Sequence, residues 1–198
     1  MGCRASPMDD VEMTRSTRVA VSGVLAANLT AFGLIQSLAA QAVAATELKA
    51  AYLLNFAQFV EWPADAVPVG SALMVCIVND DGVAHAVDKA ILNRSVDGHG
   101  LTVKRFKTGL PLPGCHILYL GSGELKSSLE VVETVKGLFL LTVSDAKRFA
   151  ENGGMVELFV EGGRMRFAVN TDALQRAHVR LGSRVLGLAT IVRDAERH

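Results

Sequence analysis

The side chains best equipped for chemistry in this 198-residue sequence are a few acids, histidines, arginines and cysteines, and their spacing decides what is open to them. His85, His99, His116 and His178 are scattered and His198 is terminal. No HExxH pairs two of them on one helical face, and no cysteine lies near metal-ligand spacing. The nucleophile elbow GxSxG is absent as well. Asp80-Asp81-Gly82 follows an apolar run, like the acidic pocket of a phospho-acceptor domain. Such a pocket needs a second acid at a neighbouring strand end, and CHILYL supplies none. A helix cap at Asp81 is the simpler role. In LYLGSGELKSS, Gly121 and Gly123 stand where a strand-to-helix turn could cradle phosphate, but the third fingerprint glycine would fall on Lys126. No catalytic set assembles. The expectation is a protein that is not an enzyme, with no cofactor and no metal.

The arginines leave one chemical option. Arg176, Arg180 and Arg184 are four apart, a stripe if they share a helix, yet Gly182-Ser183 argues for a break. Arg164 and Arg166 alternate with apolar residues and face outward by the period-two rule. Arg166, Arg176, His178 and Arg180 are therefore the candidate contacts for a small anionic ligand or a partner, held by paired hydrogen bonds. Nucleic acid is not expected, because 20 basic residues balance 20 acidic ones.

These residues need a scaffold, and the first question is where that scaffold begins. No charge occurs from Val19 through Thr46, Arg15 and Arg18 lie upstream, and Ala40-Gln41-Ala42 and Ala42-Val43-Ala44 offer small-x-small exits. That pattern reads as a cleaved signal peptide over residues 1–44, with Met13 opening a cleaner leader than Met1. The competing reading is an uncleaved anchor, which Asn28, Thr30, Gln36 and Ser37 make less apolar than a span requires. Export would leave one soluble domain, residues 45–198. It would also leave Cys76 and Cys115, which are open to one disulfide in an oxidising compartment or to two buried thiols.

Within that domain, ELKAAYLLNFAQFVEWP places Glu47, Asn55, Gln58 and Glu61 in a narrow polar stripe, so it reads as a core helix ending at Pro63. ALMVCIVND, CHILYLG and LFLLTVSD read as strands buried on both faces, and LTVKRFK as an alternating one. Helices are expected over Gly82 to Asn93, Glu124 to Val135 and AKRFAENGG. A hairpin is expected around Glu161-Gly162-Gly163. Thr171 to Val192 has a helical pattern broken near Val179 and Gly182-Ser183, with Ser183 capping a last helix through Ile191. The fold class is α/β: a single domain with a mostly parallel buried sheet flanked by helices, a C-terminal β-hairpin and terminal helices.

LKAAYLLNFAQFVEWP, GCHILYL, LLTVSDAKRFAENGGM, RMRFAVN and LGSRVLGLATIV occur in the order in which the YfiR family carries them, so essentially the whole exported domain resembles that family. The resemblance implies an α/β fold and a periplasmic homodimer without catalysis. It implies repression of a membrane-bound diguanylate cyclase through the periplasmic domain of that enzyme, relieved by an OmpA-like outer-membrane lipoprotein. It also implies that Cys76 and Cys115 form the family's disulfide between the first strand and the GCH strand. A second disulfide of some relatives has no counterpart here. Binding of a small anionic metabolite is the alternative function.

Overall fold

The computed structural model describes residues 43–63, 66–107, 114–121, 123 and 125–194, so the leader expected over residues 1–44 lies almost wholly outside the described residues. The first helix, α1, covers residues 43–59. It is followed by β1 (Val60–Glu61), β2 (Leu73–Val78), α2 (Asp81–Ala90), β3 (Ser95–Val96), β4 (His99–Phe106) and β5 (Ile117–Leu120). Then come α3 (Leu125–Thr134), β6 (Leu141–Ser144), β7 (Val156–Glu161), β8 (Arg164–Asn170), α4 (Thr171–Arg176), β9 (Arg180–Leu181), α5 (Ser183–Leu186) and β10 (Thr190–Val192).

Eight strands form one sheet in the order β10-β8-β7-β6-β5-β2-β4-β3, and β1 pairs separately with β9. The centre, β7-β6-β5-β2-β4, is parallel. The β7–β8 hairpin turns at Gly162 and Gly163, both at positive φ, as a tight turn requires. Continuous apolar runs make β2 and β5 because both faces of the sheet are covered there. Val75, Ile77, Ile117, Tyr119, Leu141 and Val143 join the core under α1, α2 and α4. Their neighbours Cys76, Val78, Leu118 and Leu120 join a second core under α3. Period-two alternation thus divides β2 and β5 between two hydrophobic layers, while β6 turns Thr142 and Ser144 to the second side.

The first helix belongs to the larger core. Phe56 is 1% exposed, and Tyr52, Phe56 and Phe167 pack with centroids 5.3–6.0 Å apart. The Tyr52 hydroxyl donates to the Met165 carbonyl at 2.9 Å. The helix stops before Pro63 because Val60 and Glu61 leave it to pair with Leu181 and Arg180.

Three local expectations are corrected. The stretch AKRFAENGG forms turns, not a helix. Arg148 adopts φ 65°, outside helical backbone, and Glu157 takes the N–H groups of Arg148 (2.9 Å) and Ala150 (3.2 Å). The last helix ends at Leu186, because Thr190-Ile191-Val192 instead extend the sheet beside Ala168-Val169-Asn170. β-Branched residues favour that pleated edge over a helical turn. The N-caps are Asp80 and Gly182, not Asp81 and Ser183. The Asp80 carboxylate receives Val83 N–H at 2.9 Å, and Asp81 falls in the first turn, where its charge suits the helix dipole.

The 145–155 connection also packs tightly. A Cβ on Gly154 would lie 2.2–2.5 Å from the buried Phe149 ring. Gly154→Ala is therefore expected to cost about 1–3 kcal/mol, read as a lower urea midpoint.

Candidate functional site

The arginines and histidine proposed as ligand contacts are placed on separate elements. Arg166 lies on the hairpin, 2.9 Å from Glu161. Arg180 stands opposite Glu61 in the β1–β9 ladder. Arg176, at the end of α4, pairs with Asp194 through both guanidinium amino groups. His178, at φ 54° just past α4, meets the Phe139 ring edge-on at 6.2 Å.

Arg176 alone among them lines a cavity of about 320 Å³, whose walls come from α3, the following loop, β6 and α4. His178 reaches the same region through Phe139, in the loop that supplies Lys136, Gly137 and Leu140 to the wall. Arg166 and Arg180 do not line it.

Cys76 and Cys115 are joined by a disulfide with Cα atoms 5.8 Å apart, linking β2 to the residue two before β5. The next residue, His116, is bonded on every side. Its Nδ1 accepts the Met74 N–H at 2.9 Å, which puts the ring hydrogen on Nε2, facing the Ala66 carbonyl at 3.3 Å. Trp62 packs edge-on against it, and the Nε1–H of Trp62 is buried without a partner. His99, the nearby titratable group, turns its Nδ1 to the Ser71 carbonyl at 2.7 Å.

Burial holds the His116 ring below the ordinary histidine value of 6.5, the proximity of His99 adds to this, and the Ala66 bond opposes it. The unfolded chain takes up this proton near 6.5 while the folded chain still excludes it. Stability is full above that value and falls as pH drops through 6.5 toward the lower folded value. The urea midpoint should decline as pH falls through 6.5, and less so in His116→Asn, which keeps an acceptor but cannot take the proton.

At the opposite, carboxyl ends of the parallel strands, where open α/β sheets place their ligands, the structure holds a charged cluster that sequence reading missed. Lys49 of α1 is 2.5 Å from Asp145, which follows β6, and 4.0 Å from Asp80, which follows β2. All three side chains are under a fifth exposed. The Tyr119 hydroxyl on β5 faces both carboxylates without completing a hydrogen bond, and one oxygen of Asp145 is likewise buried without a partner. Burial, then the Asp145 and Asp80 charges, push the Tyr119 phenol far above its ordinary range, so it stays protonated. The second acid sought near Asp80 does exist. It comes from VSD at the end of β6, one strand beyond CHILYL, and Lys49 occupies the space between the two carboxylates. An acid directly after a buried strand was the available signal.

The family model described as YfiR/HmsC-like matches residues 46–190, from α1 through the start of β10. The chain belongs to the YfiR/HmsC-like family. In this YfiR/HmsC-like domain Cys76 and Cys115, the pair that the resemblance implied, are joined, from β2 to the segment that leads into β5. Among its described residues no helix is long and apolar enough to cross a membrane. No group of three or more His, Cys, Asp or Glu among them is placed to hold a metal ion.

Proposed function

We propose that this YfiR/HmsC-like protein is a periplasmic, non-catalytic regulator, exported by residues 1–44, whose domain of residues 45–198 binds the periplasmic sensor region of a membrane-bound diguanylate cyclase and represses it. Membership of the family over residues 46–190 is the observation that carries this reading. Repression needs only a preference for one state of the partner over another. A coupling of about 1–3 kcal/mol changes affinity roughly 5–150-fold, which surface complementarity supplies without reactive groups. The Cys76–Cys115 disulfide suits an oxidising compartment. Homodimerisation and relief by an OmpA-like outer-membrane lipoprotein complete the proposal.

Deleting the gene should raise cyclic diguanylate and biofilm. Capture of the tagged protein from the periplasm should retrieve the cyclase. Unchanged cyclic diguanylate in a strain with an intact neighbouring cyclase would reject the proposal.

The second reading, binding of a small anionic metabolite, draws support from the cavity beside Arg176. It draws none from the larger set of contacts first considered, because Arg166 and Arg180 lie elsewhere.

A further inference from the structure

Between α3 and α4 the sequence leaves space that it could have filled. The ladder between β6 and β7 starts at Val143↔Val156. Just before that pair the two strands are joined by side chains instead: Met155 N–H donates to the Thr142 hydroxyl at 3.1 Å, and Thr142 N–H points to the Met155 sulfur at 3.5 Å. This exchange makes the floor of the 320 Å³ cavity, a volume at the small end of ligand sites (about 300–1,000 Å³).

Val132 and Leu140 wall it on one side, and Ala173 and Ala177 on the other. These are all at most 8% exposed, so the apolar walls lie inside the fold and not on its surface. Ala173 and Ala177 are four apart on one stretch of chain, and a larger residue at either would occupy the space. Gly137 and Gly153 also border the cavity, at φ 79° and 103°, where the backbone itself calls for glycine.

The charged residues that line the cavity, Lys136 and Arg176, are both cationic, and their acidic partners Glu133 and Asp194 are not part of the lining. The floor adds the Thr142 hydroxyl, which accepts from Met155 and keeps a hydrogen of its own to donate. An apolar chamber edged by two cations matches a particular chemistry.

We infer that the cavity between α3 and α4 binds a small amphiphilic monoanion, an apolar body with one carboxylate, whose tail lies against Val132, Leu140 and Met155 and whose head meets Arg176 and Lys136. Exposed pairs such as Lys136–Glu133 are weak, so a ligand carboxylate can share Lys136 at little cost, whereas at Arg176 it competes with Asp194, which is held through both amino groups. The inference deepens the ligand-binding reading and is independent of the cyclase partner.

Octanoate is the probe, with octanol and octylamine as head-group controls, titrated into the intact oxidised protein carrying ¹³C-methyl methionine. Octanoate should shift the Met155 methyl resonance and half-saturate below about 1 mM. It should bind at least tenfold more tightly than octanol, and octylamine more weakly still. Ala177→Leu should abolish the shift, and Arg176→Gln should bring octanoate to the level of octanol. No Met155 shift in the wild-type protein overturns the site, even if Ala177→Leu fails to fold. Equal binding of octanoate and octanol overturns the ligand class. Because the isolated protein is measured, failure here leaves the regulatory proposal standing, and an unchanged cyclic diguanylate level leaves the cavity standing.

Discussion

Reduction of Cys76–Cys115, or the double substitution to alanine, should lower the stability of the domain by about 4 kcal/mol. The bridge closes a loop with a sequence separation of 39. The chain-entropy model gives a penalty of that order for the freed unfolded chain, within a usual range of about 2–5 kcal/mol for native bridges. Both cysteines are buried, so reduction also leaves two thiols in the α3 core, where the bridge had pinned β2 to the approach to β5. Urea unfolding with and without reductant measures the effect. Coincident curves, with the bridge shown intact beforehand by mass, would refute it.

Loss of Lys49 should be nearly as severe. In Lys49→Met the Asp145 and Asp80 carboxylates remain against the Tyr119 hydroxyl with no cation between them. Breaking a buried pair from one side costs about 3–5 kcal/mol, and the partial exposure here favours about 3 kcal/mol. The sign is diagnostic in a double-mutant cycle: Asp145→Asn, which removes the stranded charge, should restore more than half of the loss when combined with Lys49→Met. Simple additivity of the two substitutions would show that the ion pair is not what holds α1 over the strand ends.

The middle of the sheet was readable from the sequence because β2 and β5 are apolar at every position. Only burial on both faces produces runs such as LMVCIV and ILYL, and the structure supplies that burial with two separate cores. The end of the chain was harder. GSRVLGLATIV satisfies a helical period, and what converts Thr190–Val192 to a strand is the vacant edge of β8, a distant neighbour that local pattern does not show. Lys49 and Asp145 are 96 residues apart, so their pairing was beyond any spacing rule, even though Lys49 lies in a recognisable helix and Asp145 follows a recognisable strand.

The cavity is a different case. Val132, Leu140, Met155 and Ala173 are the residues of any core, and only the absence of a neighbour in front of them marks the place. Composition reports what is present, and a void is a relation among positions. Of the proposed contacts, Arg176 was chosen for its charge and lies at the cavity for a reason of topology.

The β1–β9 ladder bears on how the chain acquires its structure in time. Val60 meets Leu181, and Glu61 meets Arg180, across more than a hundred residues. β10 likewise completes its side of the sheet with some of the last described residues. Pairings of such long sequence separation are slow to form, because the loop entropy must be lost before the contacts return anything. A nascent chain lacking its C-terminus has nothing to dock against β1 or the edge of β8. If residues 1–44 direct export, late closure keeps the polypeptide threadable until translocation, and the fold locks only once both ends of the domain have crossed.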